Sequence, residues 1–405
     1  MKNIQSNSDK QLDLKTVFNW IFIYLVLLSP SVFLGPPQGK VFDLPEFYAS
    51  ARMILAGQGG QIYSPEAIRV VEQQFFAGQA GQVFYIPPPA AWLVSPLGLF
   101  NPIACNIFWP LILILAVCGS LFLLQRSYNL SNRTMLWAAV ALVYSGPEWE
   151  SIRHGQLAPL LLLALCLALY FEKKNKTVLC AAALSLLLLK PQYLLPLFVF
   201  LLGAGRLKLV LYLVLDSVIL AASSLIVLGK NCYIEYYNLL HYSAIHREWM
   251  KPEVGPTIRG QLLRFFPTAD AQVLILSSIL TAAFLLLCFW MGRHWQKHKN
   301  LFELGLLSVL PGSMLTALHC HNYDLLLLLP TCFVLCQCWR IKTFQPLVCK
   351  SFLSLLLFML PIYSWIHYYY LLRGGIINPL FFSLVVFSWC CAIAAIKLVK
   401  ENGAG

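Results

Sequence analysis

Apolar residues occur along most of this chain in long runs, and short polar stretches separate them. The runs are 17–34, 85–99, 103–124, 134–146, 155–171, 177–190, 192–204, 207–228, 270–291, 301–318, 321–339, 350–371 and 376–398. A helix of about 20 apolar residues crosses a bilayer core of about 30 Å. Because lipid offers no partner for backbone polar groups, the pattern predicts an all-α, polytopic membrane bundle.

The two longest polar stretches, 35–84 and 229–269, are predicted to contain helices of their own. Apolar spacing and a glycine-rich stop predict helices over 44–56 and 65–76. The segment 233–249 is aromatic and amphipathic, which is typical of a helix lying along a membrane surface. The outer loops are therefore expected to be folded.

Composition excludes a soluble globular class and changes how the charge is interpreted. Mean hydropathy is +0.71, and only 11% of the residues are charged. The net charge of +12 comes mainly from short clusters between the runs, so we attribute it to membrane topology and exclude nucleic-acid binding. Most of the thirteen cysteines lie within or at the ends of apolar runs, and their spacing fits no zinc pattern, so they are interpreted as packing residues.

The basic clusters predict which side of the membrane each loop occupies. They are Arg126/Arg133, Lys173/Lys174/Lys176, Arg206/Lys208, Arg293/Lys297/Lys299, Arg340/Lys342 and Lys397/Lys400, together with Lys2, Lys10 and Lys15. All are expected in the cytoplasm, with 17–34 as an uncleaved signal-anchor span. This requires that 85–99, which is short and begins with three prolines, enters the membrane and returns. We predict about twelve spans plus this re-entrant segment, both termini cytoplasmic, and the polar non-basic loops outside.

Asp43, just beyond the first apolar run, is the leading candidate for chemistry because acids are scarce and this one lies at the membrane surface. Two interpretations stay open. With Glu46 three residues later, Asp43 resembles a helix capping box. Alternatively, it is a general base in a cleft, although a capping carboxylate is a poorer base.

Other polar side chains fall in the same predicted outer loops. Arg153 and Gln156 precede an apolar helix whose N-terminus suits an anion, or they are ordinary loop residues. Lys190 can be interpreted in two ways. Its side chain extends to the membrane interface, or it binds an anionic ligand, because the positive-inside rule disfavours a lysine in an outer loop. His319 and His321 suggest substrate or phosphate binding, because a His-x-His pair alone is weak evidence for a metal.

Several motifs, taken in order, resemble one known family. They are Asp43 with Phe47 and Tyr48, Ala-Arg-x-Ile-Leu-x-Gly at 51–57, Ile-Tyr-x-Pro at 62–65, Tyr-Ile-Pro-Pro-x-Ala-x-x-Leu-x-x-Pro-Leu at 85–97, Gly-Gln at 155–156 and Leu-Lys-Pro-Gln at 189–192. The chain is similar to glycosyltransferase family 87 of the type C superfamily, the polyprenol-phosphate-mannose-dependent mannosyltransferases. The first loop departs from the usual pattern, since Leu44-Pro45-Glu46 follows the aspartate and tyrosine stands five positions after it rather than four.

The resemblance implies an inverting membrane transferase with Asp43 as general base. The sugar, most consistently mannose, would pass from a polyprenyl-phosphate donor to an acceptor hydroxyl outside the cytoplasm, at a bacterial inner (plasma) membrane. The residues expected to bind the donor phosphate or substrate are Lys190, Arg153, His319, His321, Gln156, Tyr48, Tyr85, Gln192, Arg247 and Arg259. No metal or other cofactor is expected.

The expected partners are the lipid-linked donor, a glycolipid or glycan acceptor and membrane lipids, with no nucleic acid. The chain is expected to form one transmembrane domain over 1–405. A family-like catalytic module covers 17–204 with the outer loop 35–84, and a second half covers 205–405 with the outer loop 229–269. The competing functions are a transporter or flippase, and a polymerase of lipid-linked glycan precursors. A transporter would carry charges at mid-depth, whereas here they lie mostly near the membrane faces.

Overall fold

The structure, a computed structural model, describes residues 43–76, 83–246, 251–338, 344–356 and 370–403. The predicted first span 17–34, the candidate Arg247 and most of the second half of 350–371 lie outside these residues. None of the described residues is in a β-strand. The chain is therefore an all-helical protein over the part described, as predicted.

The first half of the described chain contains nine α-helices. They are α1 Leu44–Leu55, α2 Pro65–Phe75, α3 Pro88–Val94, α4 Pro102–Tyr128, α5 Asn132–Val143, α6 Gly146–His154, α7 Ala158–Lys173, α8 Thr177–Ser185 and α9 Pro191–Gly203. The rest contains α10 Leu207–Leu228, α11 Lys230–Ile245, α12 Ile258–Phe265, α13 Asp270–Trp295, α14 Leu301–Ser308, α15 Leu310–Thr316, α16 Leu329–Cys338, α17 Gln345–Leu356 and α18 Pro379–Gly403. Short 3-10 turns are Gly59–Gln61, Ser95–Leu99, Leu186–Leu189, Pro252–Val254 and Asn322–Leu328.

The helices predicted in the outer loops are confirmed. The helix predicted over 44–56 is α1, and the one over 65–76 is α2. Ser64 begins α2 because its hydroxyl accepts a hydrogen bond from the Ala67 N–H at 3.3 Å. The described part of the aromatic segment predicted over 233–249 lies in α11, which begins three residues earlier than expected, and 247–249 lie outside the described residues.

The structure supports a helical membrane protein. Its described residues contain fewer long helices than the sequence suggested. Four described helices are long and apolar enough to cross a membrane: α4, α10, α13 and the Pro379–Lys400 part of α18. A fifth candidate combines α6 and α7, which are bent by 119° at their junction. Other apolar runs are broken into shorter pieces. The run 301–318, for example, divides into α14 and α15 just before Pro311, where proline removes a backbone donor. The count of twelve spans stays a prediction.

Basic clusters that are distant in sequence meet at one end of the helix bundle. Lys173 Nζ lies 2.5 Å from Glu303 Oε1 and 4.6 Å from the ring of Tyr128, while Arg206 pairs with Glu172. The α6–α7 junction, Lys190 and the 317–324 segment gather with Asp43 in a different group, described next. We call the first group the basic end and the second the Asp43 end.

Candidate active site

The backbone at Asp43 does not form the predicted capping box. Within the described residues, the Asp43 side chain accepts no capping hydrogen bond from α1, and its own φ of −101° and ψ of 0° are helical. In a capping box, the Asp43 N–H would donate a hydrogen bond to the Glu46 side chain. Here it donates to the His154 carbonyl at 3.1 Å instead. The capping interpretation is therefore wrong, and both carboxyl groups are left for other contacts.

The Asp43 carboxylate is held from the α6–α7 junction. Gln156 Nε2 donates to Asp43 Oδ2 at 2.5 Å, and His154 Nδ1 lies 3.5 Å from the same oxygen. Asp43 is only 7% exposed. The structure therefore places the predicted base beside Gln156, one of the residues expected to bind substrate.

The junction that carries Gln156 is itself rigidly connected. Gly155 ends α6 with a φ of +70°, a conformation that side chains rarely adopt. Its carbonyl accepts from Trp109 Nε1 at 2.7 Å, and the Gln156 N–H donates to the Ser151 carbonyl at 2.9 Å. These contacts orient the Gln156 side chain towards the start of α1.

Lys190 forms a buried ion pair. Its Nζ lies 2.5 Å from Asp324 Oδ1 and 4.8 Å from the centroid of the Tyr323 ring. The Asp324 side chain is 1% exposed, and its second oxygen accepts from the His321 N–H at 3.1 Å. The sequence predicted a lysine available to an anion, whereas the structure gives it a carboxylate partner that fixes its position.

His319 and His321 lie beside this pair and are neutral at neutral pH. Their ring centroids are 4.1 Å apart, and the His321 ring lies 4.9 Å from that of Tyr323. Burial lowers the pKa of His319 to about 4, although Asp324 opposes the shift. Burial also lowers the pKa of His321 well below its ordinary value, and neighbouring His319 adds to this. These imidazoles can donate hydrogen bonds to a substrate or phosphate, but they supply no positive charge at neutral pH.

Aromatic and polar contacts join the His319–Asp324 segment to the Asp43 group. The Tyr323 ring lies 6.1 Å from the ring of His154. Asn322 Nδ2 donates to Glu150 Oε1 at 3.0 Å, so α6 holds this segment directly. The corners that contribute Asp43, Gln156, Lys190 and His321 therefore belong to one connected site.

Gln192 and Arg259 lie at the margin of this site. Gln192 Nε2 donates to the His319 carbonyl at 3.4 Å. Arg259 is 3% exposed, donates to the Ala244 carbonyl at 2.7 Å, and its charge contributes to the lowered pKa of His319. Arg153 stacks over the Trp149 ring at 4.6 Å on its own helix. The described contacts connect Gln192 and Arg259 to the histidines and place Arg153 on α6.

The two candidate tyrosines have different surroundings. Tyr48 is 2% exposed, its hydroxyl donates to the Phe100 carbonyl at 3.0 Å, and aromatic rings flank it, so it packs the fold. The Tyr85 hydroxyl accepts from Ser243 Oγ at 3.0 Å. Burial raises the pKa of Tyr85 to about 12, and Glu46 contributes to the shift. Tyr85 therefore lies near the acidic start of α1.

Sequence reasoning missed functional neighbours of the predicted residues. It did not select His154, Tyr323 or Asp324, although each lies within three residues of a candidate that it named. It interpreted Glu46 only as a capping partner. Burial raises the pKa of Glu46 well above its usual range, and the charges of Asp43 and Glu72 add to the shift. The signal for these residues was the density of titratable side chains, but their pairing depends on tertiary contacts.

Comparison with known proteins gives one match. The family model of glycosyltransferase family 87 matches residues 84–318, which is more than half of the chain. The matched region contains Gln156 and Lys190, begins after Asp43 and ends directly before His319. No curated protein matches the chain.

Proposed function

The chain belongs to glycosyltransferase family 87, and from this membership we propose that it transfers mannose from a polyprenyl-phosphate donor to an acceptor hydroxyl. Membership makes the protein a membrane glycosyltransferase. The lipid-phosphate donor, the sugar and the inverting course are our proposal, and the arrangement around Asp43 supports the inverting course.

The observation that carries the proposal is an aspartate held for use as a base. Asp43 is nearly buried, is not used as a helix cap, and has one carboxylate oxygen bound by Gln156. The other oxygen, Oδ1, would accept the proton of the acceptor hydroxyl as that oxygen attacks the anomeric carbon. The bond from the anomeric carbon to the phosphate oxygen breaks on the opposite face, so the configuration inverts in one displacement.

The departing polyprenyl phosphate gains negative charge, and preorganised donors stabilise it. Lys190 supports this role because Asp324 fixes its position while the lysine side chain stays 14% exposed. His319 would add a neutral N–H, since its Nδ1 is buried and has no hydrogen-bond partner among the described residues. Arg259 adds a buried positive charge nearby.

We further propose that the Asp43 end faces the extracytoplasmic side of about twelve spans. The meeting of Lys173 and Arg206 at the basic end supports this, because cytoplasmic loops are rich in such residues. A re-entrant 85–99 segment is supported by contacts at both of its ends with the same outer loop. Tyr63 donates to the Ile86 carbonyl at 2.6 Å, and Tyr48 donates to the Phe100 carbonyl.

The test is transfer from polyprenyl-phosphate-mannose by the purified protein in lipid nanodiscs. We expect Asp43→Asn to lower transfer by about 100- to 10,000-fold, the usual contribution of a general base. Glu66→Gln, which changes an exposed acid of the same loop, is the matched control and should keep full activity. The anomeric configuration of the product, measured by NMR, tests inversion.

Two results would count against the proposal in different ways. Unchanged transfer by Asp43→Asn would remove the base assignment while leaving the donor class. Absence of transfer from any polyprenyl-phosphate sugar by folded wild-type protein would remove the donor class itself.

A further inference from the structure

Tyr193 has a hydroxyl group that no other described residue satisfies. Its side chain is 0% exposed, and its oxygen is buried without a hydrogen-bond partner among the described residues. Folded proteins satisfy nearly all of their buried polar groups, so each exception requires an explanation. A phenylalanine would fill the same space without burying an oxygen. The hydroxyl is therefore a group that the fold itself does not use.

The hydroxyl lies beside the Lys190–Asp324 pair of the candidate site. Tyr193 is in the first turn of α9, and its N–H donates to the Lys190 carbonyl at 3.1 Å. The hydroxyl lies next to the side chains of Asp324 and Cys320, in a geometry that completes a hydrogen bond with neither. Because the Tyr193 side chain is fully buried and that of Lys190 is 14% exposed, the lysine is the one that can contact a bound ligand.

Asp324 is the better hydrogen-bond acceptor of the two neighbours. The Cys320 thiol donates to the His321 carbonyl at 3.6 Å, and sulfur accepts hydrogen bonds only weakly. Asp324 accepts from Lys190 at one oxygen and from the His321 N–H at the other. A carboxylate has about four lone-pair sites, so these two bonds leave room for a third donor. Tyr193 is the residue placed to become that donor.

The proposed function explains when a third bond to Asp324 is needed. Lys190 can stabilise a departing phosphate only by sharing its N–H groups between the phosphate and Asp324. Its bond to Asp324 then weakens, although this carboxylate is 1% exposed and a buried charge depends on its partners. A hydroxyl that lies next to Asp324, and that the fold does not use, can replace the lost interaction.

We propose that Tyr193 is a positioning residue that donates a hydrogen bond to Asp324 when Lys190 binds the phosphate of the lipid-linked donor. The hydroxyl keeps the buried carboxylate hydrogen-bonded, so Lys190 can interact with the phosphate without leaving Asp324 unpaired. The hydroxyl proton stays on Tyr193, and no covalent bond forms or breaks. This inference rests on the proposed transferase function.

The test removes the hydroxyl alone and uses a second buried tyrosine as its control. Tyr193→Phe keeps the ring and removes the oxygen. Tyr128→Phe is the matched change at the basic end, because the Tyr128 hydroxyl is also buried without a hydrogen-bond partner among the described residues. In nanodiscs, each variant is measured for its thermal unfolding midpoint, its equilibrium affinity for undecaprenyl phosphate and its transfer from polyprenyl-phosphate-mannose.

We expect both variants to unfold at the wild-type temperature, because neither hydroxyl completes a hydrogen bond within the fold. Tyr193→Phe should weaken the binding of undecaprenyl phosphate by about 10- to 100-fold, the effect of losing one hydrogen bond to a charged group, and should lower transfer as well. The acceptor KM should not change. Tyr128→Phe should bind undecaprenyl phosphate and transfer mannose as wild type does.

A variant that lacks the ion pair tests whether Tyr193 acts through it. Lys190→Met combined with Asp324→Leu removes both charged groups. Adding Tyr193→Phe to this variant should cause no further loss of affinity, because coupled residues are not additive. A further loss as large as in the single variant would show that Tyr193 binds the phosphate itself, and it would overturn the positioning role.

The results that overturn the inference differ from those that overturn the proposed function. Earlier unfolding of Tyr193→Phe with unchanged affinity for undecaprenyl phosphate would show that the hydroxyl serves only the fold. Equal losses of affinity in Tyr193→Phe and Tyr128→Phe would show a general effect of removing a buried hydroxyl. If wild-type protein neither binds undecaprenyl phosphate nor transfers from any polyprenyl-phosphate sugar, the proposed function fails, and the inference with it.

Discussion

At the scale of single residues, the Asp43 end contains few free charges. Lys190 is paired with Asp324, the two histidines are neutral, and burial raises the pKa of Glu46 well above its usual range. Burial explains all three cases, because a low-dielectric surrounding disfavours unpaired charge. The site therefore combines a fixed cation with neutral hydrogen-bond donors.

The Lys190–Asp324 pair predicts a separation between stability and activity. Lys190→Met leaves Asp324, which is 1% exposed, without its partner, and should cost about 3–5 kcal/mol of unfolding free energy. Lys190→Met combined with Asp324→Leu should recover most of this stability in denaturant unfolding, but transfer should stay low. Full transfer by the double variant would contradict a role of Lys190 at the phosphate.

A matched comparison is available at the basic end of the bundle. Lys173 and Glu303 make an ion pair of the same 2.5 Å length, but the lysine side chain is 31% exposed. Lys173→Met should therefore cost about 1 kcal/mol or less in the same unfolding measurement.

Glu72 predicts how stability depends on pH. Its burial raises the pKa to about 7, above the value of about 4.5 for an exposed glutamate. The folded state then holds a proton that the unfolded state releases, so wild-type stability falls as pH rises from about 4.5 to about 7. Glu72→Gln removes this pH-dependent loss, so the variant should exceed wild type in unfolding free energy by about 3 kcal/mol above pH 7. At pH 4 the two proteins should unfold together, and a constant difference across pH would contradict the assignment.

Most of the candidate residues were predictable singly, but their states were not. Asp43, Gln156, Lys190 and His321 follow from residue type, loop position and resemblance. The failure of the capping box was not predictable, because the competing His154 carbonyl belongs to a distant helix. The same is true of the Asp324 partner of Lys190.

At the scale of helices, α9 and α13 cross at two glycines that allow their backbones to touch. A Cβ at Gly203 would lie 2.2 Å from the Phe289 carbonyl oxygen, and one at Gly292 would lie 2.1 Å from the Phe200 oxygen. Small residues permit this close approach in membrane helices. We expect Gly203→Ala or Gly292→Ala to separate the helices and lower stability by about 1–3 kcal/mol or more, measured by unfolding in detergent.

Gly119 of α4 provides the control for this crossing. A Cβ there would meet only the end of the flexible Leu163 side chain, at 3.2 Å. Gly119→Ala should therefore leave stability nearly unchanged or slightly improved, since alanine favours helix. Equal effects at all three glycines would show that helix propensity, rather than the crossing, decides the result.

Helix positions were predicted better than helix continuity. Hydrophobic spacing located α1, α2 and the long α10 within a few residues. It did not show that the run 177–190 ends in the 3-10 turn Leu186–Leu189, because the break depends on how the chain reaches Lys190 and its partner. Local pattern therefore located these helices, whereas the break before Lys190 depends on tertiary contacts.

At the scale of the whole molecule, the contacts that join distant loops form two groups. Lys173, Arg206 and Glu303 meet at the basic end, while Asp43, Gln156 and Lys190 belong to the other group. Helices such as α7 run from one group to the other, since α7 begins beside Gln156 and ends at Lys173. If the positive-inside rule holds, the Asp43 end is extracytoplasmic.

This orientation gives a prediction that depends on a single segment. Between Gln58 and Leu130 the chain passes through 85–99 and then through α4. If 85–99 re-enters, the two positions lie on opposite sides of the membrane, whereas if it spans they lie on the same side. Alkaline phosphatase, which is active only outside the cytoplasm, should therefore be active when fused after Gln58 and inactive after Leu130. Green fluorescent protein should give the reverse result. Activity of the same reporter at both positions would contradict the re-entrant segment, and fluorescence after Gln58 would contradict the placement of the site outside the cytoplasm.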